Sequence, residues 1–247
     1  MKLNIDGLTH RDEYAGAGVT LPAFDVADMQ AQGREHPRWI HIGPGNIFRV
    51  FIARIAQEMI AAGYPWPITA VVPLDPSELD IQLAAHDLMT LGVILHEDGR
   101  KDLDVIAGMS EGLAPRREAD FARLVEIARQ PQVSLVSFTI TEKGYAIRDS
   151  AGELLPAVLD VFASDPRGYQ AHTMALVAGL LLHRFEAGAE PITLMSCDNF
   201  SHNGDILRES IVTIIEGWLA AGSVSEDFVA WVKNPATVGF PISVIDK

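Results

Sequence analysis

Trp39-Ile-His-Ile-Gly-Pro-Gly-Asn-Ile-Phe-Arg49 is the stretch on which the fold turns. Its apolar first four residues predict a buried strand, and Gly43 and Gly45 a turn. Ile47, Phe51, Ile55 and Met59 then recur every fourth residue, which predicts a helix over 47–62 with those four on one face. A nucleotide pyrophosphate needs this order of elements. The strand delivers the turn, the glycines let backbone approach the phosphates, and the unpaired N–H groups at the helix start face the anion. The usual fingerprint carries a third glycine where this chain has Phe48. A Gly-Pro-Gly turn between strand and helix also serves as plain chain reversal, and both readings stand on this stretch alone.

Two further segments follow the same plan. Val133-Ser-Leu-Val-Ser-Phe-Thr-Ile-Thr-Glu-Lys-Gly-Tyr145 is a strand pattern ending in polar residues and a glycine. Ile192-Thr-Leu-Met-Ser-Cys-Asp-Asn-Phe-Ser-His-Asn-Gly204 is another apolar strand opening into Asp-Asn and Asn-Gly. In open parallel sheets, ligands bind outside such carboxyl ends. Together, His-Ile-Gly-Pro-Gly-Asn-Ile-Phe-Arg at 41–49, Thr-Glu-Lys-Gly-Tyr at 141–145, Ser-Cys-Asp-Asn at 196–199 with Asn203-Gly204, and Phe240-Pro241 running to Asp246 resemble the long-chain mannitol dehydrogenase family, which includes fructuronate and mannonate oxidoreductases. The resemblance covers nearly the whole chain. It implies an NAD-binding N-terminal domain acting on a polyol or sugar acid, followed by a helical C-terminal domain that holds the lysine base. This chain stops at Val244-Ile245-Asp246-Lys247, about where the link to that domain would begin, so the chain alone is expected to be inactive. The family's first motif commonly has His-Arg-Ala-His, whereas residues 48–51 here are Phe-Arg-Val-Phe, which leaves the substrate open.

With 247 residues, 48% apolar and 21% charged, the chain can bury a sizeable core. Its net charge of −14 offers no basic stripe for nucleic acid, but a dinucleotide held by backbone amides needs none. A single cysteine, Cys197, excludes an intrachain disulfide and fits a reducing cytoplasm. The longest apolar run, from Met174 to His183, is too short for a membrane span and is expected to be a buried helix continuing through Phe185.

Outside the three motifs, residues 1–37 read as a leader packed on a domain spanning 38–247, with a short helix in 25–32. Strands are expected at 68–72, 91–96, 105–107, 133–140 and Ile192–Ser196. Helical signals lie at 77–89, 118–129, 167–187 (behind the Asp165-Pro166 cap), 203–221 and after Ser225. Strands alternating with helices describe an α/β, doubly wound, mostly parallel Rossmann-like sheet with helices on both faces.

The cofactor-binding candidates at the first turn are Gly43, Gly45, Asn46, Ile47 and Phe48. Asp75, thirty residues after Gly45, suits a ribose hydroxyl but equally caps a turn. No arginine follows that strand to pair with a 2′-phosphate, which favours NAD over NADP. The resemblance adds Thr139 and Thr141 to the cofactor site, Glu142 as a carboxylate that relays a proton to water, and Asn199 as an amide donor to a developing alkoxide. Glu142-Lys143 also reads as a solvated turn, and Asn199 as a loop cap. Lys143 is not nominated as base, because the resemblance puts that lysine beyond this chain. Asn203 is expected to start a helix, Cys197 and His41 to be buried core residues, and His202 at most to touch substrate. The eight histidines lack metal-ligand spacing, so no metal is expected. Two functions remain: the NAD-binding half of a polyol or sugar-acid dehydrogenase, or a stand-alone dinucleotide-binding module serving as sensor or scaffold.

Overall fold

Every residue of Trp39–Ile42 and of Ile68–Val71 is buried, which is why both read as mostly apolar runs without alternation, broken only by His41 and Thr69: each strand is covered on both faces. The structure, a computed structural model, describes residues 2–244 and divides into two units, Met1–Ala114 and Pro115–Lys247.

The first unit begins with a 3₁₀ turn, Gly7–Thr9, and then has α1 (Arg11–Gly16), β1 (Val19–Thr20) and α2 (Val26–Glu35). Asp25 caps α2 by accepting from the Asp28 amide at 2.9 Å. Tyr14, Val19, Val26 and Met29 from this stretch share one core cluster with Met89, Val105 and Ala107. There follow β2 (Trp39–Ile42), α3 (Ala53–Ala61), β3 (Ile68–Val71), the short α4 (Pro76–Glu78), β4 (Thr90–Leu95), β5 (Lys101–Ile106) and β6 (Met109–Leu113). Strands β2, β3 and β6 form a parallel sheet in the order β6-β3-β2. The crossover from β3 to β6 carries the antiparallel hairpin β4–β5, and β1 adds to β5 in parallel. The segment expected as one helix over 77–89 is broken, passing from α4 into a π turn at Leu79–Leu83 and a 3₁₀ turn at Ala84–His86.

The helix after β2 opens with a π turn, Phe48–Ile52, before α3. Phe48 is fully buried and stacks on the His41 ring, with centroids 4.0 Å apart and planes 20° from parallel. A third glycine would let the helix lie close on the strand. Here the wider first turn makes room for a phenyl ring in its place. The inward face is therefore Phe48, Ile52, Ala53 and Ala56. The stripe that four-residue spacing singles out is the outward one, with Ile47 62%, Phe51 46% and Ile55 39% exposed.

The second unit contains α5 (Glu118–Ala128), β7 (Leu135–Phe138), α6 (Thr141–Tyr145), α7 (Pro156–Phe162), α8 (Thr173–Glu186), β8 (Ile192–Ser196), α9 (Asn203–Ala220), α10 (Glu226–Lys233) and β9 (Val238–Gly239). Its strands are parallel in the order β7-β8-β9. The expected buried apolar helix is α8, but it starts at Thr173 rather than 167. Asp165 accepts from the Arg167 amide at 3.0 Å in a local turn, and the Pro166 carbonyl lies where a Cβ on Gly179 would be 2.7 Å away. The Asp165-Pro166 turn thus folds back over α8 instead of capping it. Arg184, buried in α8, donates to the carbonyls of Ala128, Gln130, Pro131, Glu190 and Pro191, so it pins the approaches to β7 and β8. Each unit holds a three-stranded parallel sheet ordered as one mononucleotide-binding half of the doubly wound Rossmann fold, which confirms the expected fold class.

Candidate functional site

At the carboxyl end of β2 the chain turns on Gly43, whose φ of +87° is a conformation that glycine adopts without strain. The Gly43 amide donates to the Val71 carbonyl at 3.0 Å, tying the turn to the end of β3. Gly45 differs. Its φ is not positive, it is exposed, and a Cβ built on it would find nothing nearer than the Gly43 carbonyl oxygen at 4.0 Å. Among the described residues nothing requires glycine there, whereas a pyrophosphate approaching the backbone does. The residues present therefore fit a dinucleotide phosphate. Asn46 and Ile47 are exposed beside it, at the start of a helix whose first amides have no intrahelical acceptor. Arg49 donates from its guanidinium to the Asn46 side-chain oxygen, which fixes the asparagine. Phe48 reaches inward onto His41, so only its backbone faces the turn.

His41 is a core residue, as expected from its place in the strand. Burial pushes its pKa down to about 3, opposed by a backbone hydrogen bond at Gly43, so the ring is neutral at physiological pH. Asp75 lies four residues past β3, exposed, and accepts from the Ser77 amide at 2.9 Å as the cap of α4. The register pairs Ile42 with Val71, so the exits toward Gly43 and Asp75 are neighbours within this unit.

In the second unit, β7 and β8 pair Phe138 with Ser196, and their exits carry Thr139–Glu142 and Cys197–Asn199. Asp198 joins the two loops. Its carboxylate accepts from the Ile140 amide at 3.0 Å, the Thr141 amide at 3.1 Å and the Tyr145 hydroxyl at 2.7 Å. Thr141 is left-handed, with φ +61°. Consecutive amides across such a change of handedness form a concave anion nest, here filled by the chain's own carboxylate. Because Tyr145 donates its one proton to Asp198, the Ser196 hydroxyl donates to Tyr145 at 2.8 Å. Burial, with the Asp198 charge next, drives the Tyr145 pKa far upward, so the phenol remains a donor. Gly144 admits the Ile140 side chain, which a Cβ there would meet at 2.7 Å.

This network explains the Thr-Glu-Lys-Gly-Tyr and Ser-Cys-Asp-Asn blocks and contains residues that the sequence reading did not nominate: Asp198, Tyr145 and Ser196. Through its bonds to Ile140 and Thr141, Asp198 ties the loop that carries Thr139, Thr141 and Glu142 to its own, which carries Asn199. Glu142 and Lys143 are exposed. Asn199 is also exposed, and among the described residues its side chain has no hydrogen-bond partner, as a cap would have. Asn203 is buried at the start of α9 and structural: its amide nitrogen donates to the Asp198 carbonyl at 3.0 Å and to Ser243, whose backbone amide donates back at 3.0 Å. His202, at φ +58°, pairs with Asp205 at 3.0 Å. Cys197 is buried and its thiol is pushed up to about 11 by desolvation, unlike a nucleophile. Asp246 lies outside the described residues. Among the described residues no cluster of potential metal ligands occurs, and no helix is long and apolar enough to cross a membrane.

The model of the family described as the mannitol dehydrogenase Rossmann domain matches residues 37–247. The chain is 38% identical to a D-mannonate oxidoreductase of Thermotoga maritima, covering 100% of this chain and 46% of the relative. It is 32% identical to a mannitol 2-dehydrogenase of Cereibacter sphaeroides, with coverages of 93% and 45%. A solved mannitol 2-dehydrogenase of Pseudomonas fluorescens, in ternary complex with NAD and D-mannitol, superposes with a TM-score of 0.76 at 28% identity, over 97% of this chain and 46% of that one. The chain thus spans about half the length of the relatives it matches.

Proposed function

The chain belongs to the mannitol dehydrogenase family as its Rossmann domain, and from that premise we propose that it is the NAD-binding part of an oxidoreductase acting on a polyol or sugar acid. The carrying observation is Gly45, whose missing side chain the fold itself does not need. A structure similar to this chain holds NAD and D-mannitol, and the relatives named above oxidise or reduce mannitol and mannonate by their names.

In this reading Gly43 makes the turn, Gly45 leaves the backbone bare, and the amides of Asn46, Ile47 and Phe48 donate to the pyrophosphate. Asp75 accepts from the adenosine ribose. Thr139 and Thr141 line the cofactor further along. Bound there, the nicotinamide supplies the hydride chemistry. Asn199 donates its amide hydrogen to the substrate oxygen as negative charge grows on it, and it can do so because its side chain is exposed and uncommitted within the described chain. Glu142, exposed at the start of α6, carries the proton between the site and water. The chain spans about half the length of its relatives, and in this reading the catalytic lysine and much of the substrate pocket belong to a C-terminal domain of the intact enzyme. The buried, protonated Cys197 suits a cytoplasmic protein.

Gly45→Val is the test. The open space at Gly45 predicts a melting temperature close to that of the parent chain, while the branched side chain occupies the pyrophosphate position. Calorimetry should show NADH affinity falling by at least about tenfold, a loss of about 1.4 kcal/mol. Unchanged affinity would place cofactor binding elsewhere.

A further inference from the structure

The Asp198 carboxylate has three donors from the far side of the β7–β8 pair and none from its own loop among the described residues: the amides of Ile140 and Thr141 and the hydroxyl of Tyr145. The two amides define the turn in which Thr141 adopts φ +61°, a conformation that a branched residue holds only where its surroundings enforce it. Thr141 immediately precedes Glu142, and Asn199 immediately follows Asp198. The same carboxylate therefore sets the exits of both chains that carry the proposed chemistry.

We propose that Asp198 is a positioning residue for the reacting end of the site: by filling the nest at Ile140 and Thr141 it fixes where Glu142 and Asn199 project. This rests on the functional reading above. A carboxylate suits the task better than an amide or hydroxyl, because it accepts on both oxygens and donates nothing that would oppose two converging N–H groups. Tyr145 closes the third side. The hydroxyl of Ser196 donates to it, so the hydrogen bonds run in one direction from Ser196 through Tyr145 to Asp198. The opposite end of the residue is held as well, since the Asp198 carbonyl accepts from Asn203 at 3.0 Å. Rotating the side chain would break its three carboxylate contacts, and shifting the backbone would break the bond from Asn203. It touches neither substrate nor cofactor in this arrangement; it acts through Glu142 and Asn199.

The experiment uses the full-length protein that carries this domain and compares Asp198→Ala, Asp198→Asn and Tyr145→Phe. Three quantities are read: kcat with the best polyol or sugar acid, NADH dissociation constant, and amide hydrogen exchange at Ile140 and Thr141. Displacing a reacting group by about 1 Å costs up to about 100-fold in rate. Asp198→Ala should therefore lower kcat by about 10- to 100-fold per folded active site, weaken NADH binding by a smaller factor than it lowers kcat, and speed exchange at both amides. Asp198→Asn, which keeps one oxygen for one amide, should recover part of kcat and protect one amide. A merely structural role moves the melting temperature while kcat of the folded fraction stays within about threefold, and that result overturns the proposal. Should Asp198→Ala fail to fold, Tyr145→Phe decides. It removes one donor and keeps the ring in its packing, so unchanged kcat there is equally fatal. A wild-type protein without turnover on any polyol or sugar acid would refute the functional reading alone. Unchanged exchange at Ile140 and Thr141 in Asp198→Ala would refute the positioning of the turn, whatever the activity.

Discussion

Lowering the pH from 7 to 4 tests the burial of His41. The ring has no exposed surface, stacks on Phe48, and has its pKa depressed to about 3 by desolvation. In the unfolded chain the ordinary value of about 6.5 returns. Between these two values the unfolded state binds a proton that the folded state does not, so stability falls as pH drops through this window. The two pKa values give a loss, relative to pH 7, of about 2 kcal/mol at pH 5 and about 3 kcal/mol at pH 4 from this one residue. His172, whose pKa is also lowered by burial, acts in the same direction. The assay is urea unfolding at pH 7, 6, 5 and 4 for the parent chain and for His41→Gln, which cannot titrate. Carboxylate contributions are shared by both proteins and cancel in the comparison. The variant should lose about 2 kcal/mol less than the parent between pH 7 and pH 5. Equal pH slopes in the two would mean that His41 is solvated or protonated in the folded state, and the packing of Phe48 against it would have to be reconsidered.

Two other substitutions separate chemistry from structure. In a full-length enzyme containing this domain, Asn199→Ala should lower kcat and kcat/KM together by about 10²–10³-fold, with the melting temperature unchanged because the side chain bonds nothing among the described residues; a lower melting point with a normal hydride step would make Asn199 structural. Gly204→Ala should do the reverse: the added Cβ would sit 2.4 Å from the Pro241 carbonyl oxygen, costing about 1–3 kcal/mol as overpacking, visible as a drop in melting temperature with NADH affinity retained.

What the sequence made legible was local. The strand, turn and helix at 39–61 announce themselves through glycines and spacing, as do β8 and the cap of α10, where Ser225 accepts from the Phe228 amide at 3.2 Å. Other features depend on partners distant in the chain. The start of α8 is not legible locally: Asp165-Pro166 has every mark of a helix cap, and only Gly179, thirteen residues on, shows that the turn packs across the helix instead. β6 (Met109–Leu113) escaped notice because Ser110, Glu111 and Gly112 interrupt its apolar run, although it lies beside β3. The spacing of four picks out one face around α3, and only the fold shows that it is the outward one, the buried face being Phe48, Ile52, Ala53 and Ala56. At the site, Gly43 and Asn199 could be named from motif and resemblance, but Asp198 could not. Its partners are 53 to 58 residues away in sequence, and nothing near it records that its oxygens are occupied.

The π turn at Phe48–Ile52 also bears on how this segment tolerates insertion and deletion. A π turn holds one residue more than an α turn, and each residue of helix advances its face by about 100°. Removing one residue within 48–52 would convert it to ordinary helix and, because the π turn absorbs that extra residue locally, would leave Ala53 and Ala56 facing inward and Ile55 outward. Within this unit a Cβ on Gly108 would lie 2.0 Å from the Ala53 carbonyl, so the close approach there is fitted to the present phase of the helix. A single-residue deletion in this turn therefore narrows the turn and keeps the helical phase beyond it, whereas the same deletion within Ala53–Ala61 would rotate the remainder by about 100°. Related sequences should differ by one residue within 48–52 more readily than within Ala53–Ala61.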